Sequence, residues 1–251
     1  YGPDHGRHME QRRYKAIFFD LDGTLLPIDM DEFLHRYFIK LRIYVTRLGL
    51  DAERFSYALN EGMKSMGADH PGKTNREAFW STFNALFGES ADTMENVLLD
   101  FYENDFGEIG AGIQPNPAAR RVVEDLRKKG YPLYLTTMPM FPESALNWRL
   151  KWADVDPSCF ERKTTYDNSS ALKPSLSYYR QNIRIVGCRP EEVLMVGNNT
   201  REDLAILELG ADAFLITDRM LDPVNFPIDT IKNGSLQQFA DWAANLPECE
   251  A

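Results

Sequence analysis

Apolar and polar positions follow two different rhythms along this chain. Ala16-Ile17-Phe18-Phe19 is an unbroken apolar run that ends on an acid, and it predicts a buried strand over residues 15–20. From Asp29 onward the rhythm becomes helical. Phe33, Tyr37, Leu41, Tyr44 and Leu48 recur at three- and four-residue spacing. The same spacing predicts helices over 29–48, 51–66, 75–87 and 91–106, punctuated by Gly49, the stretch from Gly67 to Gly72, and Gly88. No strand-like run interrupts this region, so it reads as a helical insertion after the first strand.

Beyond Gly110-Ala111-Gly112 and the Pro115/Pro117 pair, strands and helices alternate. Strands are expected at 131–136, 162–166, 193–196 and 213–216. Helices are expected from an Asn116 N-cap to Arg127-Lys128-Lys129, then over 143–152, 175–186 and 201–209. Basic residues ahead of Gly130 suit both the helix dipole and a glycine stop. Alternating strands and helices imply right-handed crossovers and an α/β fold with a doubly wound parallel sheet. Ligands on such sheets bind beyond the carboxyl ends of the strands. The expected organisation is an α/β core from 14–27 and 110–251, a helical domain at 28–109, and a polar leader at 1–13 with Met9 as the native start.

Composition narrows the functional classes. The chain has 251 residues and a formal net charge of −10. That charge argues against nucleic acid, whose backbone needs a basic surface, and against anionic membranes. No apolar run approaches the roughly 18 residues of a membrane span. Cys159, Cys188 and Cys249 lack metal-ligand spacing and read as reduced thiols of a cytoplasmic protein. Outside the leader only His35 and His70 remain, too few for a multi-histidine zinc site. They read as ordinary residues of the helical region, whose aromatics Phe33, Tyr37, Tyr44, Phe79, Trp80 and Phe83 are its expected core. Gly107-Glu108-Ile109-Gly110-Ala111-Gly112 follows a helical pattern and lacks a Gly-Lys-Ser/Thr end, so it reads as a hinge and not a phosphate loop.

The chemistry concentrates at Asp20-Leu21-Asp22-Gly23-Thr24. Period-2 geometry at a strand end sends both carboxylates to the same side. Like charges this close want a cation. Magnesium suits them, because a few carboxylates hold it while substrate phosphate fills other positions. An aspartate also attacks phosphorus, splitting one displacement into two. Gly23 lets the chain turn, and Thr24 offers a hydroxyl. The bland alternative is a surface Asp-rich turn or half a calcium loop, but an EF-hand loop also needs a terminal Glu, and the strand before Asp20 is wrong for it.

This pentapeptide at the end of the first strand resembles motif I of the haloacid dehalogenase-like hydrolase superfamily, and the helical insertion is similar to its C1-type cap. The resemblance covers about residues 14–218 and rests on four ordered motifs. It implies Asp20 as nucleophile and Asp22 as general acid–base, with the Asp20 carboxylate and the Asp22 main-chain carbonyl on Mg2+. Leu133-Tyr134-Leu135-Thr136-Thr137-Met138-Pro139 fits motif II, with Thr137 preferred over Thr136 for binding phosphoryl oxygens together with the Met138 backbone. Lys173-Pro174 resembles motif III, a cation offsetting Asp20 and the phosphate. Motif IV ordinarily carries two acids, and Gly197-Asn198-Asn199-Thr200-Arg201-Glu202-Asp203 keeps only the second. Asp203 matches it, while the first has become Asn198 or Asn199, with Asn199 favoured by the family's Gly-Asn-Asp form. An amide oxygen still coordinates magnesium but lacks the charge that makes hard-cation sites tight.

The implied activity is a magnesium-dependent phosphatase acting on a small phosphorylated metabolite through an aspartyl-phosphate. Asp22 argues against dehalogenase chemistry, which needs no leaving-group acid. Two alternatives remain: a weakly catalytic binding or regulatory protein, motivated by the motif IV asparagine, and a phosphomutase.

Overall fold

The computed structural model describes residues 12–88 and 91–250, so Met9 and the stretch before it lie outside the described residues. Six strands form one parallel sheet: β1 (Ala16–Phe19), β2 (Leu133–Leu135), β3 (Arg162–Lys163), β4 (Val193–Gly197), β5 (Asp212–Ile216) and β6 (Lys232–Gly234). Their spatial order is β3-β2-β1-β4-β5-β6. Ile17 pairs with Leu133 on one side and Leu194 on the other. The chain winds outward from β1 to β3, then crosses back to β4, so the order reverses between β1 and β4. That reversal opens a crevice at the carboxyl ends of the two strands.

Strand alternation sorts the core onto two faces. Ile17, Phe19, Leu194, Val196, Phe214 and Ile216 are buried against α5 (Pro117–Lys128) and α8 (Leu236–Ala244). Ala16, Phe18, Met195, Ala213 and Leu215 are buried on the opposite face, against Tyr178, Tyr179 and Ile183 of α7 (Leu176–Val186). Both faces are covered, which explains why β1, β4 and β5 read as continuous apolar runs.

Between β1 and α5 lie α1 (Met30–Arg47), α2 (Ala52–Gly67), α3 (Asn75–Phe87) and α4 (Ala91–Glu103). Their core is aromatic. The ring of Phe83 lies 5.1 Å from Phe55 and 5.1 Å from Trp80, both edge-on, 5.7 Å from Phe79, stacked, and 5.4 Å from Phe87, tilted. A Thr74–Glu77 capping box starts α3, and Gly88 at φ 81° ends it. Asn75, fully buried at the start of α3, docks the insertion onto the core. Its Nδ2 donates to Pro139 O (3.1 Å) and Ala171 O (3.0 Å), while its Oδ1 is hydrogen-bonded to His70 Nε2 (2.8 Å).

The chain returns from α4 through a 3-10 turn, Asp105–Gly110, that is bolted to α6 (Glu143–Trp152). A Cβ at Gly110 would meet the Trp152 ring at 2.3 Å, and one at Gly107 would meet the Trp148 ring at 2.9 Å. Both indoles donate to this segment, Trp148 to Glu103 O and Trp152 to Gly107 O. The glycines expected to form a hinge here admit two tryptophans.

Several element boundaries differ from those read in the sequence. The helix expected at 201–209 is a turn followed by a 3-10 segment, Leu204–Leu209, because residues 199–203 wind tightly around the Asp203 carboxylate. The strand expected through 166 stops at Lys163, where the Asn168 side chain bonds both Thr165 N and Lys163 O and turns the chain. The fourth helix ends at Glu103 instead of 106. β6 and α8 lay outside the sequence reading.

Asn75→Ala leaves two buried carbonyls without a donor, so urea unfolding should show a loss of about 1–3 kcal/mol. A loss below about 0.5 kcal/mol would mean the docking contact carries no net stability.

Candidate active site

Three loops at the carboxyl ends of the strands converge on one ammonium group. β1 delivers Asp20, whose backbone N–H donates to Val196 O of β4 at 2.9 Å. The loop before α7 delivers Lys173. Its Nζ lies 3.1 Å from Asp20 Oδ1 and 2.7 Å from Asp203 Oδ1, and all three residues are buried. Burial works against the Lys173 charge, yet Asp20 and Asp203 hold the ammonium well above its usual range. Burial and the neighbouring Asp203 charge push the Asp20 carboxyl up to about 7, against the opposing pull of Lys173.

Asp203 is fully engaged. Its Oδ1 bonds Lys173, and its Oδ2 accepts from both Asn198 N and Asn199 N at 3.0 Å. Gly197 makes this wrapping feasible, since a Cβ there would sit 2.3 Å from Asp203 Oδ2. Asp203 therefore orders the loop and the lysine, and no lone oxygen of its carboxylate is left over as expected of a direct metal ligand.

The two asparagines separate cleanly. Asn199 Oδ1 accepts from Arg201 N and Glu202 N, both at 2.9 Å, so it caps the following turn. Asn198 faces Asp20: Thr24 Oγ1 lies 3.3 Å from Asn198 Oδ1 and 3.0 Å from Asp20 Oδ2. Its Nδ2 is anchored on Arg219 O at 2.9 Å. Gly23, at φ 77°, has no room for a Cβ, which would stand 2.3 Å from Asn198 Nδ2. Geometry favours Asn198 over Asn199, the residue preferred from the sequence, because the Asn199 amide oxygen is spent on the backbone.

The hydroxyls of motif II separate in the same way. Thr136 Oγ1 faces Phe19 O and Met195 Sδ, each at 3.5 Å. Thr137 is held through its carbonyl by Thr164 Oγ1 and Tyr178 OH at 2.8 Å, while its own Oγ1 is buried without a partner. A buried hydroxyl without a partner suits a ligand oxygen. Met138 follows it, half-buried, with its carbonyl accepting from Met140 N at 2.9 Å.

Asp22 pairs with a different cation, although its charge still acts on Asp20. Its carboxylate is gripped by the fork of Arg149, with Nε donating to Oδ1 at 3.2 Å and Nη2 donating to Oδ2. Arg149 comes from α6 and is only 2% exposed. Its guanidinium rests against the edge-to-face pair of Phe33 and Phe141, with ring centroids 5.7 and 5.4 Å away. The sequence reading passed over this arginine.

Among the described residues no group of three or more His, Cys, Asp or Glu is arranged as a ready metal site. The donors aimed at the crevice are Asp20 Oδ2 and Asn198 Oδ1, one carboxylate and one amide oxygen. That hard, sparse set fits magnesium, which takes one or two carboxylates and completes its shell with water and phosphate. A groove of about 740 Å³ lies elsewhere, between α5 and α6 beside Arg120, Arg127 and Trp148, and holds none of these residues. Among the described residues no helix is long and apolar enough to cross a membrane.

A family model described as haloacid dehalogenase-like hydrolase matches residues 14–210. The chain is 26% identical to a pyrophosphatase PpaX from Bacillus velezensis over 78% of this chain and 80% of that protein. It is 24% identical to a glyceraldehyde 3-phosphate phosphatase from Methanothermobacter thermautotrophicus, covering 93% and 98%. In fold it is similar to a HAD phosphatase from Thermococcus onnurineus, with TM-score 0.55, 20% identity, and coverage of 91% and 97%.

The raised Asp20 carboxyl has a consequence for stability. Folding favours its neutral form, so that contribution is fully present below about pH 4 and is lost as pH climbs through about 7. In metal-free buffer the melting temperature should therefore fall between about pH 5 and pH 8 on this account. Asp20→Asn, which does not titrate, should flatten that fall. Parallel curves for the two proteins would contradict the assignment.

Proposed function

The chain belongs to the haloacid dehalogenase-like hydrolases, and on that premise we propose that it is a magnesium-dependent phosphatase of small phosphorylated metabolites, working through an aspartyl-phosphate. The observation that carries the reading is the Lys173 ammonium bridging Asp20 and Asp203 beside the unpartnered Thr137 hydroxyl. A phosphoryl group entering the crevice finds a cation, a hydroxyl and a nucleophile on three sides. The named activities of the two relatives, on pyrophosphate and on glyceraldehyde 3-phosphate, are of the same class. The helical insertion, residues 28–109, takes the part of a cap over the core formed by 14–27 and 110–251.

Asp20 attacks phosphorus in line with the leaving oxygen, and Lys173 offsets the charge gathering on the phosphoryl oxygens. Thr137 and the backbone at Met138 bind those oxygens as they spread toward the transition state. To act as the acid, Asp22 must leave the Arg149 fork and take up a proton, which it gives to the leaving oxygen; its carboxylate later takes a proton from the water that hydrolyses the intermediate. Asp20 and Asn198, with the Asp22 main-chain carbonyl, would hold magnesium, which supplies positive charge against the phosphate. Asp203 serves that site indirectly by fixing Lys173 and the Asn198 backbone. Replacement of an acid by Asn198 implies a weaker hold on the metal than two carboxylates give.

With millimolar magnesium, phosphate release from p-nitrophenyl phosphate or a metabolite panel should be measurable, and Asp20→Asn should lower kcat on the order of 10³-fold or more. Activity that survives Asp20→Asn overturns the proposal. Asn198→Asp adds a ligand charge, and the half-saturating magnesium concentration should drop about tenfold, whereas Asn199→Asp should leave it in place. The opposite pattern would restore Asn199 as the metal-facing residue.

A further inference from the structure

The bonds of Asn75 end on two loops of the site at once. Its Nδ2 donates to Pro139 O at 3.1 Å and to Ala171 O at 3.0 Å. Pro139 stands two residues after Thr137, and Ala171 two residues before Lys173. The start of α3 adds two main-chain bonds, from Asn75 N to Ser169 O and from Arg76 N to Tyr166 O, both at 2.8 Å. The first turn of a helix cannot pair these N–H groups within itself, and here the core loop takes them. Tyr166 N donates in turn to Phe141 O at 3.0 Å, so the two loops are also stitched to each other. The orientation of the Asn75 amide follows from its partners. Carbonyls only accept, so Nδ2 faces them and Oδ1 meets His70 Nε2 at 2.8 Å. The other half of the site is held by bonds that do not involve α3: Asp20 N to Val196 O, Gly23 N to Leu26 O, and Asn198 Nδ2 to Arg219 O.

We propose that Asn75 is a positioning residue: by tying the Pro139 and Ala171 carbonyls to the insertion, it sets the Thr137 hydroxyl and the Lys173 ammonium at the spacing a phosphoryl group requires. This rests on the phosphatase reading above and adds to it a residue from outside the core. Asn75 is fully buried and acts through the main chain of the two loops. A buried carbonyl that loses its donor is costly, so each loop would shift to recover one. Misplacement of a binding group by about 1 Å costs on the order of 10²-fold in rate. Thr137 and Lys173 are close enough along the chain to move with those carbonyls. Asp20 and Asn198 take their places from β1 and β4 instead. Loss of the Asn75 amide therefore weakens the hold on phosphate and spares the hold on magnesium. Because Asn75 belongs to the insertion, the phosphate-binding half of the site is complete only while α3 is docked.

The test is calorimetric titration of inorganic phosphate at saturating magnesium, and of magnesium alone, in the wild type, Asn75→Ala, Asn75→Asp and Phe55→Leu. Asn75→Asp preserves size and the main-chain bonds while removing the side-chain donor, and it carries the test if Asn75→Ala does not fold. Both Asn75 variants should weaken phosphate binding about tenfold or more. Their magnesium affinity should stay within about twofold of the wild type, since the metal ligands lie on other loops. Phe55 packs inside the insertion, 5.1 Å from the Phe83 ring and 5.4 Å from the Phe87 ring. Phe55→Leu loosens that packing without removing an Asn75 bond, and its phosphate affinity should stay within about twofold. Binding needs no turnover, so failure to hydrolyse any ester would sink the phosphatase reading alone, while these ratios still decide the role of Asn75. Wild-type phosphate affinity in the Asn75 variants overturns the proposal, as does a wild type that binds no phosphate. Equal losses of phosphate and magnesium also overturn it, as does a phosphate loss in Phe55→Leu matching that in Asn75→Ala, which is what general loosening of the insertion would give.

Discussion

The Lys173 ammonium, shared between Asp20 and Asp203, is the contact on which the rest of the site depends. Three carboxylates, counting Asp22, are gathered at the carboxyl ends of β1 and β4, in a buried crevice where like charges repel strongly. Lys173 and Arg149 each answer part of that charge, and each does so from a different loop or helix. Burying such charges is tolerable only when each is paired and its remaining hydrogen-bond sites are filled. That requirement dictates much of the local backbone: Gly197 lets the chain close around Asp203, and Asn198 and Asn199 turn their N–H groups onto its carboxylate.

Much of this was legible in the sequence, for physical reasons that differ by residue. Asp20 and Lys173 were readable because their setting is short-range: an apolar strand running into acids, and a lysine before a proline. The doubly wound sheet was readable because β1, β4 and β5 are buried on both faces, so that β1 and β4 are apolar throughout and β5 is apolar after Asp212. Asn198 and Asn199 could not be told apart, since adjacent residues share composition and only their side-chain directions differ. Arg149 was hidden because it sits in a helix also carrying Lys151 and looks like one more basic surface residue; only the fold brings Phe33, Phe141 and Asp22 around it. Asn75 was hidden likewise, its partners Pro139 and Ala171 being far away in sequence. The last helix left a usable signal that went unread, the Ser235–Gln238 capping box.

The helical insertion and the proposed catalytic residues are mechanically joined. Phe33 covers the guanidinium that grips Asp22, Asn75 fastens α3 to the loops after β2 and before Lys173, and Trp148 and Trp152 clasp the returning chain to the same helix that bears Arg149. Displacing the insertion would uncover Arg149 and admit water to it.

The most direct test of the account is to catch the phosphoryl group on its proposed carrier. Acid quench of the enzyme during turnover with magnesium and a radiolabelled phosphate ester, followed by peptide mapping, should place the label on the peptide containing Asp20 and remove it in Asp20→Asn. Label on another residue, or turnover with no label bound to protein at any quench time together with undiminished activity in Asp20→Asn, would contradict it.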